Sequence, residues 1–195
     1  MRPVYLDNAA TTPVAQEVRA ALAAFLEDEF GNPSSRHALG VRAAEAVDAA
    51  RARIARATGG RSQNVVFTSG GTESNNLAVL GAARARKRGN VVIGPTEHPS
   101  VRGAAEALTR EGFELRVARL GAGGELDIDS YAELLDQDTV VVSQMLVNGE
   151  FGTLYPVSAV ARLVRQQAPR AHLHVDAVQG LGKVELDLAQ LGADS

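Results

Sequence analysis

Short apolar runs alternate with longer segments of helical spacing over most of this chain, and few folds accommodate such an alternation. The runs predicted to be strands lie at residues 65–68, 91–94, 113–118, 140–143 and 173–176. Their residues are nearly all apolar and do not alternate with polar ones, which is typical of strands buried on both faces. Because helical segments separate the runs, the pattern predicts an α/β fold with a doubly wound, mostly parallel sheet and flanking helices. Ligands bind such sheets at the carboxyl ends of the strands.

The first part of the chain lacks this alternation. Residues 1–60 are predicted to form an N-terminal helical arm, and residues 61–195 a large sheet domain. Within the arm, the segment from Phe30 to Ser35 interrupts the helical pattern with small polar groups. Such a segment suits a loop that faces a ligand, and Asn32 is a candidate contact to a substrate or cofactor.

Composition and charge exclude several classes of function. The formal net charge of −3 and the pI near 5.8 argue against a general binder of nucleic acid or anionic membranes. The chain has no cysteine, so it holds no disulfide or thiolate metal site of its own, and its four scattered histidines argue against a zinc site. No apolar run has the length of a membrane span, and the N-terminus lacks a signal-peptide pattern. A cytoplasmic location is therefore expected.

A glycine-rich turn follows the first predicted strand. Gly70 and Gly71 let the backbone turn sharply, and Thr72 and Glu73 open a segment of helical spacing. A helix N-terminus of this kind presents unpaired N–H groups and a positive dipole, so it is a natural site for a phosphate. An ordinary strand–turn–helix with a threonine cap is the alternative. The glycine spacing of a Walker loop or a dinucleotide fingerprint is missing.

Polar and aromatic groups follow the other predicted strands. His98 comes after the second strand, the segment 144–152 after the fourth, and Asp176 and Gln179 after the last. Each of these residues alone is also typical of a helix cap or turn, but all are predicted at one edge of the sheet. Together they match the needs of pyridoxal 5'-phosphate (PLP). An acid pairs with its pyridine nitrogen, an aromatic group stacks on its ring, and an amide binds its ring hydroxyl.

Several segments of the chain resemble, in order, the successive signatures of cysteine desulfurases, which are class V aminotransferase-like, fold-type I PLP enzymes. These segments are Leu6–Thr12, Phe30–Ser35, Phe67–Asn76, Thr96–His98 and His174–Gln179. The resemblance runs from Leu6 to the end of the chain, and the segment from Phe30 to Ser35 favours the desulfurases over related aminotransferases and kynureninases.

The resemblance implies a role for each candidate site residue. The backbone of Gly71 and the side chain of Thr72 would bind the phosphate, and Asp176 would pair with the pyridine nitrogen. His98 would stack on the ring and take part in proton transfer, while Gln179 would contact the ring oxygen. The implied substrate is L-cysteine, which is converted to L-alanine. Its sulfur becomes a persulfide on an enzyme cysteine and passes to a sulfur-acceptor or scaffold protein for iron–sulfur cluster or thio-cofactor assembly. The full-length form is expected to be a homodimer.

The sequence departs from the family in the groups that perform the covalent chemistry. The lysine that binds PLP follows a Ser-x-His pattern shortly after a segment like Leu191–Ser195, where this chain stops. Its lysines, Lys87 and Lys183, lie in other contexts, and the attacking cysteine and the arginine for the substrate carboxylate would also lie further on. We therefore expect the N-terminal portion of a desulfurase, truncated before the PLP-binding lysine and without turnover on its own.

A second departure lies after the fourth predicted strand. The segment 145–152 resembles the family pattern Met-x-Val-Asn-Asn-Glu-x-Gly, but Gly149 replaces the second Asn, which helps to hold the ring oxygen and the substrate carboxylate. Asn148 is a candidate contact in its place. Two alternatives stay open: a sister enzyme such as selenocysteine lyase or an aminotransferase, and a non-catalytic or decayed fragment that binds PLP or a partner. A nucleotide-binding domain is less favoured, because no acidic ribose-binding position follows the glycine turn at the expected distance.

Overall fold

The computed structural model describes residues 3–27 and 30–195, which divide into two compact units at Val65 and Val66. The helices are α1 (Gln16–Glu27), α2 (Ala38–Thr58), α3 (Gly71–Arg86), α4 (Pro99–Thr109), α5 (Ile128–Leu134), α6 (Val157–Gln167) and α7 (Leu188–Leu191). The strands are β1 (Asn90–Ile93), β2 (Glu114–Val117), β3 (Thr139–Ser143) and β4 (His172–His174). None of the helices in the described part of the chain has the length and apolar character needed to cross a membrane.

The first unit contains α1 and α2. The side chain of His37 caps α2 by accepting a hydrogen bond from the backbone N–H of Gly40, and Gly59 ends the helix in the left-handed conformation. The guanidinium of Arg51 on α2 donates to the backbone carbonyl of Val65, which ties the end of the unit to this helix. No described residue of α1 is buried.

The second unit is built on a parallel sheet, as predicted. The strands are ordered β2-β1-β3-β4, and each neighbouring pair is parallel. The chain runs from β1 to β2 on one side and then places β3 on the other side of β1. The order of the strands therefore reverses between β1 and β3, and this is where ligands bind in open α/β sheets.

Two hydrophobic clusters show that both faces of the sheet are covered. Val92, Val142 and Leu173 point to the face packed by α5 and α6. Val91, Ile93 and Val141 point to the opposite face, which is packed by α3 and α4. Every residue of β1 and β3 is buried, which explains why these strands are apolar without alternation. The doubly wound fold is confirmed.

The predicted strand at residues 65–68 is wrong. This segment forms no ladder with any strand in the described residues, and the side chains of Val66 and Phe67 are 65% and 48% exposed. Its β-branched and aromatic composition favours an extended chain, but a strand needs a neighbour for its backbone groups. The other four predicted strands all form, within a few residues of their expected bounds.

Candidate functional site

The loops that follow β1, β3 and β4 meet at the point where the strand order reverses. A carboxylate oxygen of Glu97, after β1, accepts a hydrogen bond from the backbone N–H of Met145, after β3, at 2.6 Å. The backbone carbonyl of Asp176, after β4, accepts from the N–H of Leu146 at 2.9 Å. The sheet topology therefore brings the predicted strand-end residues to one place in the second unit.

Asp176 is buried at this edge with both carboxylate oxygens engaged. Oδ2 accepts a hydrogen bond from Nδ2 of Asn75 at 2.8 Å, and Oδ1 accepts from the backbone N–H of Val178 at 3.0 Å. The side chain is thus held in one orientation. A carboxylate has about four acceptor positions, so each oxygen retains capacity for an N–H group of a ligand.

His98 caps the N-terminus of α4, and its side chain is exposed. Its Nδ1 accepts a hydrogen bond from the backbone N–H of Ser100 at 3.1 Å and lies 2.7 Å from the hydroxyl oxygen of Ser100. Because a backbone N–H only donates, Nδ1 is the unprotonated nitrogen of the ring, and the neutral imidazole carries its proton on Nε2. His98 is therefore a helix cap that lies at the predicted edge of the sheet, and its contact to a bound ring stays a prediction.

Asn75 connects the acid to the imidazole, and the sequence interpretation missed it. Its Nδ2 donates to Asp176 and also to the hydroxyl of Ser100, at 2.9 Å, which in turn contacts His98. A signal for this role is present in the sequence. Asn75 lies on the same buried face of α3 as Val79 and Ala83, where a polar side chain needs a partner.

The N-terminus of α3, whose N–H groups are the predicted cradle for an anion, lies beside this network. Gly70 precedes the helix and supplies no side-chain cap, so the first N–H groups of the helix face outward from Gly71 and the exposed Thr72. A Cβ atom at Gly71 would lie 2.9 Å from a methyl carbon of Val178, in the loop that carries Asp176. The cradle and the acid are therefore close neighbours, and Gly71 is the residue that lets them approach.

Glu73 lies in the first turn of α3. Its carboxylate accepts hydrogen bonds from both the backbone N–H and the hydroxyl of Ser69, each at 2.6 Å, and these bonds lower the pKa of Glu73. The side chain of Glu73 therefore stabilises the turn that precedes α3, as the side chains of a capping box do.

Gln179 adjoins the segment after β3. The side-chain oxygen of Gln179 accepts a hydrogen bond from the ammonium group of Lys183. A Cβ atom at Gly149 would lie 3.4 Å from Cγ of Gln179, so the position that departs from the family pattern adjoins a predicted site residue.

The two candidate asparagine contacts are engaged locally. The side-chain oxygen of Asn148 accepts from the backbone N–H groups of Glu150 and Phe151, both at 2.9 Å, and so holds the turn that contains Gly149. Asn32 lies in the first unit, where its side-chain oxygen accepts from the N–H of Ser34 at 2.9 Å.

Two buried ionisable groups next to the site have strongly shifted pKa values. Burial raises the pKa of Glu97 to about 8; the hydrogen bond from Met145 opposes this shift and the charge of Asp176 adds to it. Burial lowers the pKa of His174 to about 4, against the attraction of Asp176. Near neutral pH both of these buried side chains are therefore uncharged.

The residues present fit PLP. An N–H cradle, a fixed carboxylate, an exposed imidazole and an amide surround one edge of the sheet, and these are the groups that its phosphate, pyridine nitrogen, ring face and ring oxygen require. Within residues 3–27 and 30–195, no group of three or more His, Asp or Glu side chains could hold a metal ion.

Comparisons with known proteins find similar sequences and structures. A cysteine desulfurase IscS 1 from Archaeoglobus fulgidus is 39% identical over 192 residues, which are 97% of this chain and 50% of the relative. A solved NifS-like protein has a TM-score of 0.92 and 34% identity, and the match covers 98% of this chain and 53% of that protein. A solved SspA in complex with cysteine has a TM-score of 0.92 and 31% identity, covering 97% and 55% of the two chains.

The chain spans about half the length of the curated relatives it matches. The family model described as Aminotransferase class-V matches residues 4–195, which is nearly all of the sequence. This chain therefore belongs to the aminotransferase class-V family, as its resemblance to the cysteine desulfurases predicts.

Proposed function

We propose that this chain is the PLP-binding part of a cysteine desulfurase, an enzyme that takes sulfur from L-cysteine and leaves L-alanine. The observation that carries the proposal is the continuous hydrogen-bonded path from Asp176 through Asn75 and Ser100 to His98, beside the N-terminus of α3. The similarity to desulfurases supports this substrate, and one neighbour in structure is described as a complex with cysteine.

Each side chain has a distinct task in this proposal. When bound, PLP supplies an electron-withdrawing ring that stabilises negative charge on the substrate amino acid. Asp176 holds a proton on the pyridine nitrogen, because its nearby negative charge favours the protonated form. Thr72 and the N–H groups at Gly71 bind the phosphate, and Gln179 binds the ring oxygen.

His98 covers the ring face and exchanges a proton with the substrate. Its Nδ1 is occupied by Ser100, so Nε2 is the nitrogen available for this exchange. Because His98 is exposed in this chain, a substrate can reach it without any rearrangement of α4.

The isolated chain is proposed to bind the cofactor reversibly and not to turn over L-cysteine. It has no cysteine to form a persulfide, and Lys183 is bound to Gln179. The proposal also includes a cytoplasmic, homodimeric full-length enzyme that passes sulfur to an acceptor or scaffold protein. These last features rest on the family alone.

The test is a calorimetric titration of the 195-residue chain with pyridoxamine 5'-phosphate. This probe keeps the phosphate and the ring of PLP but has no aldehyde, so it does not condense with surface lysines. We expect saturable binding that pyridoxamine without the phosphate does not reproduce. We also expect binding to weaken about tenfold or more in Asp176→Asn, because a charged hydrogen bond to the ring is lost.

Asp129→Asn is the matched control for this titration, since Asp129 is an exposed carboxylate on α5. It should bind the probe like the unmodified chain. Equal affinity in Asp176→Asn and Asp129→Asn, or no saturable binding to the unmodified chain, would contradict the proposed cofactor site.

A further inference from the structure

We propose that Asn75 is a positioning residue that holds Asp176 and His98 as one hydrogen-bonded unit, so that the acid and the imidazole face a bound ring in fixed orientations. The inference rests on the proposed function only for the identity of that ring. The hydrogen-bonded unit itself is a property of the ligand-free chain.

The geometry uses the full donor capacity of the Asn75 amide. Nδ2 donates to Oδ2 of Asp176 at 2.8 Å and to Oγ of Ser100 at 2.9 Å, and Oδ1 lies 2.9 Å from Nε2 of His174. A carboxylate accepts and does not donate, so the amide is oriented with its nitrogen toward Asp176. Asn75 is 3% exposed, so its amide has little access to solvent and depends on these protein partners.

The orientation of the amide determines the direction of the next bond. Oγ of Ser100 accepts from Asn75, so its own hydroxyl proton is free to go to Nδ1 of His98, 2.7 Å away. The backbone N–H of Ser100 donates to the same nitrogen. Two donors converge on Nδ1, which fixes the plane of the imidazole and leaves its proton on Nε2.

A second set of hydrogen bonds, which involves His174 and Ser195, holds the oxygen side of the Asn75 amide in place. Oδ1 of Asn75 accepts, so Nε2 of His174 carries a proton. Nδ1 of His174 then accepts from the hydroxyl of Ser195 at 3.0 Å, and that oxygen lies 2.7 Å from Nε2 of His172. Burial lowers the pKa of His174, so this ring stays neutral and its tautomer is set by Asn75.

Other side chains cannot perform this task at position 75. Aspartate offers no donor to Asp176 and adds a second negative charge beside it. Leucine has a similar volume and no hydrogen-bonding group. Only an amide donates twice from one atom and accepts on the other, as the three neighbours of Asn75 require.

The first test uses ligand-free chain and long-range proton–nitrogen NMR spectra of its histidines. In the unmodified chain, at a pH where the imidazoles are neutral, we expect the ring proton of His98 and of His174 to be on Nε2. In Asn75→Leu we expect His174 to become a mixture of tautomers and the ring signals of His98 to shift. Unchanged spectra for both histidines in Asn75→Leu would overturn the inference, whether or not the chain binds PLP.

The second test measures binding of pyridoxamine 5'-phosphate labelled with ¹⁵N in the ring. At a pH above the pKa of the free ligand's ring nitrogen, the bound ligand should show a protonated nitrogen in the unmodified chain. In Asn75→Leu the affinity should fall about tenfold or more and the protonated signal should weaken, because Asp176 loses its orientation. Full affinity with a protonated nitrogen in this variant would overturn the inference while leaving the proposed function intact.

Asn76→Leu is the matched control, since the next asparagine on α3 donates to the backbone carbonyl of Thr72 and not to Asp176. It should leave the histidine tautomers and the ring-nitrogen signal unchanged.

Ser100→Ala keeps the inference testable if Asn75→Leu does not fold, because it removes the link to His98 and leaves Asp176 bound to Asn75. We expect it to shift the His98 signals, to weaken binding about threefold and to leave the ring nitrogen protonated; loss of that protonation would contradict the assigned direction of the bonds.

Discussion

The carboxyl group of Glu97 lies next to the candidate site and is almost inaccessible to solvent. It is 6% exposed, and one of its oxygens joins the loops after β1 and β3 through the N–H of Met145. The hydroxyl of the buried Ser143 also interacts with this carboxyl group and, like the bond from Met145, lowers its pKa against the effect of burial. Burial raises the pKa of Glu97 to about 8, so the group is uncharged near neutral pH and the site tolerates a buried acid beside Asp176.

The raised pKa of Glu97 predicts a definite pH dependence of stability. Folding favours the protonated form, so the contribution is fully present below the unfolded value of 4.5 and is lost as the pH rises toward about 8. One such group changes the free energy of unfolding by at most about 1.4 kcal/mol per pH unit. Glu97→Gln keeps the shape of the neutral form, so this variant should gain stability relative to the unmodified chain between those pH values.

Urea denaturation at several pH values between about 5 and 8 checks this prediction. Glu106→Gln is the matched control, because Glu106 is an exposed carboxylate on α4. The Glu97→Gln curve should diverge from the unmodified curve with increasing pH, while the Glu106→Gln curve should run parallel to it. Parallel curves for both variants would show that Glu97 is ionised in the folded state.

The sequence indicated which site residues gather at one edge, but not how they are connected. His98 and Asp176 could be placed there because each directly follows an apolar run, and parallel strands end on one side. The link through Asn75 could not be predicted, because its partner Asp176 lies 101 positions away in the sequence. Helical spacing predicts only on which face of the helix a side chain lies, not which residue it contacts. Glu97 was part of a recognised segment, but its burial depends on the packing of the loop after β3.

At the scale of elements, burial decided which sequence patterns were informative. The runs at β1 and β3 are buried throughout, and their apolar composition identified them without ambiguity. The run at residues 65–68 has the same composition, yet it pairs with no described strand and its Phe67 side chain is half exposed. Composition predicts that a segment can be a strand, whereas the presence of a neighbour decides whether it becomes one.

Two helical glycines provide a matched pair for a prediction about elements. A Cβ atom at Gly103, on the exposed side of α4, would meet nothing within 4 Å, whereas one at Gly40, in the first turn of α2, would overlap with the carbonyl oxygen of Ser35. Gly103→Ala should therefore stabilise the chain by roughly 0.5–1 kcal/mol, because alanine loses less backbone entropy in a helix. Gly40→Ala should destabilise it, because the backbone at Ser35 has to move.

Urea denaturation of the two variants at one pH checks this pair. Because the two variants are expected to change the free energy of unfolding in opposite directions, a systematic error in its extrapolation to zero urea cannot explain both results. A destabilised Gly103→Ala variant would mean that the outer face of α4 is covered in the folded chain, and an unaffected Gly40→Ala variant would mean that the start of α2 is not held by Ser35.

At the scale of the whole molecule, the buried apolar side chains are divided very unequally between the two units. Both hydrophobic clusters, with all their core residues, lie in the unit that begins at Val66. In the described part of the first unit, the buried apolar residues are Ala43 and Ala55, and on α1 the side chains of Val18, Leu22 and Phe25 are each about half exposed. Since burial of apolar surface is the main source of folding free energy, the second unit carries most of the stability.

This division predicts that a chain shortened to residues 66–195 folds cooperatively by itself. It keeps both faces of the sheet covered, and it keeps the hydrogen bonds among Asn75, Ser100, His174 and Asp176. It should unfold in urea in one transition at a midpoint close to that of the longer chain, with the proton of His174 still on Nε2. A peptide of residues 1–65 should show helical circular dichroism without a cooperative transition, because helices with so little buried surface are marginal in water. Loss of the cooperative transition in 66–195 would instead mean that the buried apolar surface of the second unit is not sufficient for it to fold by itself.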